Sequence, residues 1–364
     1  MLNEFTAKYP TTKVYSYDLF NDYNKQKAWK MSTGGDLFPL NDLDKASIIL
    51  SIDSDFLGTD GNLTENIRQF TSNRNFEKPD TFSRFYAVEG SYTLSGANAD
   101  YRMRLTPENY LDLVASLVNY FAAKQGKPTM NGFKSIEDLA KENKWKPEIA
   151  SKLISDLESN KGKAIVIGGK QLSVDLHLAI NYLNELIGGN ELYRKNESDN
   201  RVVQYSSDEE IKSLSNRINN GQVGVFINIG TNPTYHLPNL FGKANLSKVN
   251  KVIALTEFEN ETTDNCHYVL GINHDVESWG DSKIRTGVIS TQQPVISPLY
   301  NTRQKEAILL NWANEGKNYS EDIYHKYLQS NWETNIFPSM NRSVPFKDFW
   351  FATLYDGFAI FNES

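Results

Sequence analysis

Two histidines, a cysteine and several carboxylates lie close together in the segment ETTDNCHYVLGINHDVESWGD, residues 261–281. Imidazole and carboxylate groups are common metal ligands, so His267, His274 and Glu277 are candidates for a metal site. Such ligands must converge from one face. His267 and His274 are seven positions apart, and in a strand such positions point to opposite faces. The run HYVLGIN has the pattern of a strand and a loop, so we expect a structural loop here rather than a metal site.

Cys266 is the single cysteine of the chain. This sequence therefore holds no internal disulfide, no thiolate zinc site and no conventional iron–sulfur cluster. A nucleophilic thiol would need a base beside it. His267 is the next residue, but neighbours on a strand point apart, so the pattern does not favour a reactive cysteine. The chain also has no GxSxG serine motif.

The loop Gly230-Thr231-Asn232-Pro233 follows the apolar run VGVFINI. Gly230 allows a sharp turn, Pro233 fixes the exit of the chain, and Thr231 and Asn232 offer side-chain hydrogen bonds. One interpretation is a nucleotide or phosphate contact. The other is a well-formed turn without a ligand, and the local sequence leaves both open.

Two other apolar runs also end in small and polar residues. Asp53, Ser54 and Gly58 follow KASIIL, and Gly168 and Gly169 end the run AIVIGG. Ligands of doubly wound folds bind at the carboxyl ends of the strands, which makes these five residues candidates for cofactor binding. The GxGxxG and Walker spacings are both missing, so the phosphate-loop signal is weak.

Strands and helices alternate along most of the chain. The run TPENYLDLVASLVNYFAAKQGK is the clearest helix, with Thr106 as the expected N-cap and Gly126 after its end. This order predicts an α/β fold with two Rossmann-like lobes, each with a parallel sheet flanked by helices. We place the first lobe at residues 1–158 and the second at 159–312. Residues 313–364 are expected to form a helical and aromatic extension packed on the lobes.

The bulk composition excludes several classes of function. The chain has 364 residues and a net charge of −7, which argues against nucleic acid as a partner, since phosphate-binding surfaces need clustered Lys and Arg. No apolar run approaches the roughly 20 residues of a membrane helix. The first residues, MLNEFTAKYP, do not read as a secretion signal.

The order of the segments is more specific than any single motif. A strand ending in GTNP is followed by NLSKVNKVIALTEFENETTDNCHYVLG, by ESWGD and by QQPVISPLYNTRQKEAILLNW. This order resembles the molybdopterin oxidoreductase superfamily. Together with DKASIILSIDSDFLGTD, RFYAVEGSYTLSGANADYRMRL and HLAINYLN, it is most similar to the large iron–sulfur subunit of bacterial alternative complex III. Such sequences are also called iron–sulfur-containing hydrogenase components. The resemblance runs from about Leu2 to Trp312.

The resemblance implies a lobe of a quinol-oxidising respiratory complex on the periplasmic side of the inner membrane. Its expected partners are the other subunits of that complex and an iron–sulfur domain of the same polypeptide. The clusters are expected only in that domain, so the chain is expected to be an internal, soluble fragment. In this family the lobe is regarded as having lost its molybdenum cofactor. The glycine, aspartate, serine and GTNP candidates would then be vestigial.

Charge agrees with the loss of the cofactor. A pterin dinucleotide is polyanionic, and the segment TNPTYHLPN supplies little positive charge to hold it. Asp53 and Asp55 would repel its phosphates if their loop faced the cleft. We therefore expect a scaffold without a cofactor and without catalysis of its own.

Two other functions stay open. The first is an active lobe that binds molybdopterin guanine dinucleotide, and the second is a sugar- or nucleotide-binding protein. The aromatic segment FKDFWFATLYDGFAIF is expected to be core, with an interface as the alternative.

Overall fold

The structure is a computed structural model. It describes residues 1–36, 38–75, 77, 82–198, 205–317, 319–340 and 343–361. The contacts divide the chain into two compact units. One comprises Phe20–Asn200, and the other comprises Met1–Leu19 together with Arg201–Ser364. We call them the central unit and the terminal unit.

The strands of the described residues are β1 Pro39–Asn41, β2 Ile48–Ile52, β3 Arg84–Glu89, β4 Tyr101–Arg104, β5 Ala164–Gly168, β6 Tyr193–Ser198, β7 Val225–Ile229, β8 Lys251–Thr256, β9 Tyr268–Gly271, β10 Gly280–Arg285, β11 Val288–Gln292 and β12 Phe358–Ile360.

The α-helices of the same residues are α1 Leu2–Lys8, α2 Tyr23–Thr33, α3 Leu63–Ser72, α4 Leu94–Ala97, α5 Tyr110–Lys124, α6 Ile136–Glu142, α7 Pro147–Ser159, α8 Val174–Ile187, α9 Asp208–Asn219, α10 Pro233–His236, α11 Pro238–Phe241, α12 Lys243–Leu246, α13 Lys305–Ala313, α14 Ile323–Asn331 and α15 Phe346–Asp356. None of these helices combines the length and the apolar character needed to cross a bilayer.

The central unit is built on a parallel sheet with the strand order β4-β3-β2-β5. Every residue of β2 is buried, as expected for a strand covered on both faces. Its side chains alternate between two cores. Leu50 and Ile52 face a core that includes α5 and α8, and Ile49 faces a second core that includes Phe70 of α3. β1 and β6 form a separate antiparallel pair in this unit.

The strand order of this sheet reverses at β2. From β2 the chain continues to β3 and β4 on one side, and it returns through α5, α6 and α7 to place β5 on the other side. The carboxyl ends of β2 and β5 therefore flank a topological switch point, which is where open α/β sheets bind their ligands.

The terminal unit contains a second parallel sheet, with the order β7-β8-β9. Its helix α9 begins at a capping box, in which the Ser207 hydroxyl accepts from the Glu210 amide and the Glu210 carboxylate accepts from the Ser207 amide. Ile211 and Ile218 of α9 pack against Val252 of β8. The same unit holds an antiparallel sheet, β10-β11-β12, which packs against Trp332, Phe349 and Trp350.

The compact units differ from the lobe boundaries that the sequence analysis placed at residues 158 and 312. β5 extends the sheet of β2, and Leu139 and Leu157 of α6 and α7 lie in the core of that sheet. The apolar faces of α6 and α7 cover the central sheet, and β5 and α8 belong to the central unit. In the C-terminal segment, β12 pairs with β11 and becomes the third strand of the sheet formed by β10 and β11.

Candidate functional site

Asp53 directly follows β2 and is held by the protein itself. Its backbone is left-handed, with φ of 49°, an unusual conformation for a non-glycine residue. The Tyr110 hydroxyl donates to Asp53 Oδ1 over 2.9 Å and accepts from the Gly90 amide over 2.8 Å. Burial and the neighbouring Asp53 carboxylate raise the pKa of Tyr110, so this hydroxyl keeps its proton. Tyr110 thus links the carboxyl ends of β2 and β3.

Gly168 and Gly169 at the end of β5 lie against the Asp53 loop and against α8. A Cβ on Gly169 would lie 1.9 Å from the Asp53 carbonyl oxygen, and one on Gly168 would lie 3.1 Å from the His177 ring. The Gly169 amide donates to the Ile52 carbonyl over 2.9 Å. The predicted candidates Asp53, Ser54, Gly168 and Gly169 are therefore brought together at the switch point. Both glycines are required by the protein's own backbone and side chains.

His177 of α8 lies beneath this glycine pair and is a residue that the sequence analysis missed. Its side chain is 3% exposed, and its Nε2 has no hydrogen-bond partner. Burial, assisted by the charge of Lys25, lowers the pKa of His177 to about 3. The ring is therefore neutral at physiological pH. One histidine on an amphipathic helix gives no sequence signal for such a position.

Asp55 and Gly58 form a turn that is closed by Ser95. Asp55 Oδ1 accepts from the Ser95 amide over 2.9 Å and from its hydroxyl over 2.8 Å. A Cβ on Gly58 would lie 2.0 Å from Asp55 Oδ2, so glycine is needed to let the carboxylate fold back on its own turn. The predicted candidate Gly58 thus serves this turn.

A buried ion pair joins the ends of β3 and β4. Arg102 Nε lies 2.5 Å from Glu89 Oε1, and the Glu89 side chain is 4% exposed. The Thr93 hydroxyl donates to the other carboxylate oxygen of Glu89 over 2.6 Å. The sequence analysis did not select Glu89, although a carboxylate at the end of the apolar run RFYAV was an available signal.

A cavity opens beside the switch point, between the start of α2, strand β1 and the loop after β2. It has about 70 Å³ of space for water-sized molecules. Ser54, Gly168 and Lys170 line it from the strand ends, and Lys25 and Asn41 line it from the opposite side. Ser54 is a predicted candidate, whereas Lys25, Asn41 and Lys170 are new.

The GTNP loop follows β7 at the carboxyl end of the second sheet. Gly230 has φ of 62°, the left-handed value that a turn at this point requires. The Thr231 hydroxyl donates to Asn228 Oδ1 over 2.5 Å, and the Asn228 amide donates to the Thr231 carbonyl over 2.7 Å. Pro233 begins α10. Thr231 thus closes the turn by bonding back to Asn228 of its own strand.

Asn232 is hydrogen-bonded to Glu261 and Thr262, the first two residues of the segment 261–281. Its amide donates to Glu261 Oε2 over 2.6 Å, and the buried Thr262 hydroxyl donates to Asn232 Oδ1 over 2.8 Å. The hydrogen bond from Asn232 holds the pKa of Glu261 below its usual value, so a carboxylate lies beside this loop. The Thr234 amide donates to the Thr262 hydroxyl over 3.1 Å.

The candidate metal ligands make structural hydrogen bonds. His267 Nδ1 accepts from the Val252 amide, and His274 Nδ1 accepts from the Val276 amide. Glu277 accepts from the amides of His274 and Leu299. Within the described ranges, no three His, Cys, Asp or Glu side chains are grouped so that they could hold a metal ion. Burial raises the pKa of the Cys266 thiol, which disfavours the reactive thiolate.

Comparisons with known proteins give a structural likeness. No family model matches the chain, and no curated protein matches it. Among solved structures, acetylene hydratase from Pelobacter acetylenicus is similar, with a TM-score of 0.59 and 10% sequence identity. The similarity covers 93% of this chain and 55% of that protein, so the chain spans about half the length of its structural neighbour. At this identity the likeness concerns the fold alone. It confirms the predicted class, an α/β fold with parallel sheets flanked by helices.

Proposed function

We infer that this chain is a molybdopterin-oxidoreductase-like lobe of a respiratory electron-transfer subunit, and that it acts as a scaffold without the pterin cofactor. One observation carries the proposal. At the carboxyl end of each parallel sheet, several polar side chains are hydrogen-bonded to other side chains of the same unit. Tyr110 holds Asp53, Ser95 holds Asp55, and Asn232 is shared by Glu261 and Thr262.

A polyanionic dinucleotide does not fit the first of these strand ends. Asp53 and Asp55 lie in the loop after β2, Glu89 ends the neighbouring strand β3, and Arg102 is paired with Glu89. A phosphate charge placed about 4 Å from the Asp53 carboxylate would be repelled by about 4 kcal/mol at an effective dielectric constant of about 20. Arg102 could offset that repulsion only by leaving the Glu89 carboxylate without its cation.

The second strand end has the same character. Glu261 lies beside the GTNP loop, and its carboxylate accepts the amide hydrogen of Asn232 that a phosphate oxygen would otherwise receive. A ligand at this loop would have to displace the hydrogen bonds that Thr262 and Glu261 make with Asn232. The residues present therefore do not suit the pterin dinucleotide.

Metal analysis of the protein purified from its native host tests the absence of the cofactor. We expect less than about 0.1 molybdenum or tungsten atom per chain and no pterin fluorescence after oxidative denaturation. Molybdenum near one atom per chain would support the alternative, an active lobe that binds molybdopterin guanine dinucleotide. The alternative is favoured by Gly230, where a Cβ would have no atom within 4 Å, so that the backbone at this strand end is open to a ligand.

The proposed scaffold binds neighbouring subunits of a membrane-bound complex on its periplasmic side, together with the iron–sulfur domain of its own polypeptide. The resemblance supports these partners, and exposed aromatic side chains on α15 offer a surface for them. Phe351 and Tyr355 are 58% and 92% exposed, whereas Phe349 and Trp350 of the same helix are core. The aromatic segment thus has one face in the core and one face available for a partner.

Affinity purification from native membranes tests this surface. We expect the tagged chain to retain subunits of a respiratory complex, and the double variant F351S/Y355S to lose them. Y235S is the matched control, because Tyr235 is also exposed and lies away from α15 in the sequence. Equal retention by both variants would exclude the α15 surface, and retention of no respiratory subunit by the unaltered chain would refute the scaffold.

A further inference from the structure

The cavity beside the switch point has the size of a very small ligand. Its space for water-sized molecules is about 70 Å³. One water needs about 10–15 Å³ of such space, so the cavity holds roughly five water-sized groups. A nucleotide or a pterin is far larger. The cavity lies within the central unit and is formed by α2, β1, the loop after β2 and the end of β5.

Two side chains that line the cavity carry buried polar atoms without a partner. Ser54 is 4% exposed, and its hydroxyl makes no hydrogen bond of acceptable geometry. The hydroxyl lies near the Asp60 carboxyl group and favours its ionised form. Asn41 Oδ1 is also buried and unpartnered. Buried polar groups nearly always make a hydrogen bond in folded proteins, so we expect both atoms to bond to a molecule in the cavity.

The lining of the cavity carries charges of both signs. Lys170 Nζ lies 3.9 Å from Asp60 Oδ1 and donates to the Thr59 carbonyl over 3.1 Å. The Lys25 ammonium group lies 4.3 Å from the centre of the Phe38 ring. Burial raises the pKa of Asp60, and the charges of Lys25 and Lys170 oppose that shift.

Two further carboxylates, Asp22 and Glu65, also line the cavity. Glu65 is paired with Arg194 over 2.7 Å. The positive and negative groups therefore nearly balance, so the lining does not favour the binding of a ligand that carries only a negative or only a positive charge. A ligand that carries both charges suits such a lining. Phe38, Phe56 and Ile167 supply an apolar wall.

We propose that this cavity binds a small zwitterionic amino acid of the size of glycine or alanine. Its carboxylate lies beside the Lys25 ammonium group and the Ser54 hydroxyl. Its ammonium group faces Asn41 Oδ1 and the Asp60 carboxylate. The proposal goes beyond the scaffold function and does not depend on it, since both can hold or fail separately.

Saturation-transfer NMR and calorimetry on the intact chain test the proposal. Glycine and L-alanine are expected to bind, whereas acetate, ethylamine and L-phenylalanine are not, because they lack one charge or exceed the space. K25M is expected to weaken binding by about 10-fold or more, the effect of losing one hydrogen bond to a charged group. K27M is the matched control on the same helix, since Lys27 does not line the cavity. Its affinity is expected to equal that of the unaltered chain.

Circular dichroism confirms that each variant folds. If K25M does not fold, S54A replaces it, because the Ser54 hydroxyl makes no bond that the fold would lose. S54A is expected to weaken binding by about 3-fold or more. No binding of glycine or alanine at about 10 mM would overturn the proposal, since even weak sites reach millimolar affinity. Equal affinity in K25M and K27M, or equal binding of acetate and alanine, would overturn it as well.

Discussion

Replacing Arg102 by methionine should destabilise the central unit strongly. Arg102 Nε lies 2.5 Å from Glu89 Oε1, and the side chains of Glu89 and Arg102 are 4% and 28% exposed. The variant R102M would leave the Glu89 carboxylate buried without its cation. Breaking a buried ion pair in this way costs about 3–5 kcal/mol. We expect the lower end of that range, because the Thr93 hydroxyl still donates to Glu89 Oε2.

The assay is chemical and thermal unfolding of R102M beside K124M. Lys124 pairs with Glu158 at 2.6 Å, but both side chains are about half exposed. K124M is therefore expected to leave the stability almost unchanged, because exposed ion pairs contribute little. For a unit of this size, a loss of about 3 kcal/mol in R102M lowers Tm by roughly 6–12 °C.

The double variant E89Q/R102M tests whether the unpaired charge of Glu89 causes the loss. Removing the buried charge together with its partner should recover part of the loss, because glutamine carries no charge to desolvate. The buried character of the pair is refuted if R102M costs no more than K124M, or if E89Q/R102M is less stable than R102M. Either result would mean that the pair is open to water and does not close the ends of β3 and β4.

Three further changes test the strand ends. G169A should lower the free energy of unfolding by about 2–3 kcal/mol, because its Cβ would lie 1.9 Å from the Asp53 carbonyl oxygen. G224A should be nearly neutral, because its Cβ would lie in open space, and the midpoints of denaturant unfolding compare the two variants. The pKa of His177 is about 3 when folded, and unfolded histidine titrates near about 6.5, so the unfolded chain binds more protons between these values. Stability should fall as pH drops through this window, by up to about 5 kcal/mol, and H177Q should flatten that slope in unfolding curves. T262V removes the hydroxyl that bonds to both Asn232 and Thr234, so it should lower the free energy of unfolding by about 1–3 kcal/mol. Hydrogen exchange of the backbone amides in the GTNP loop should become faster. Unchanged exchange would show that the loop does not depend on Thr262.

The strands of the parallel sheets could be predicted from the sequence because their residues are apolar and branched. Ile48–Ile52 and Ala164–Gly168 are buried along their whole length, so they read as continuous apolar runs ending in small residues. The sheet to which each strand belongs could not be predicted this way. β5 pairs with β2 although more than a hundred residues separate them. An apolar run specifies a buried strand but not its neighbour.

The C-terminal segment resisted prediction for a different reason. Phe349 and Trp350 share a core with Ile289 of β11, which lies about sixty residues earlier in the chain. Phe349 and Trp350 are buried, but the next residue, Phe351, is exposed. Aromatic residues occur on both the buried and the exposed face of α15, so residue type alone could not predict which face packs in the core.

Glycines at strand ends explain why the candidate site was found and why its chemistry was not. Glycine lets another backbone approach closely, and that approach can come from a phosphate or from the protein itself. Gly169 accommodates the Asp53 carbonyl, and Gly58 accommodates the Asp55 carboxylate. A glycine in the sequence therefore shows where another group comes close to the backbone, but not whether that group belongs to a ligand or to the protein. Buried atoms without a partner occur at both places: Ser54 Oγ and Asn41 Oδ1 line the cavity beside β1, and His177 Nε2 lies beneath the glycines. The cavity has open space beside its two atoms, whereas the space at Gly169 is filled by the Asp53 carbonyl oxygen, so the proposed ligand is assigned to the cavity.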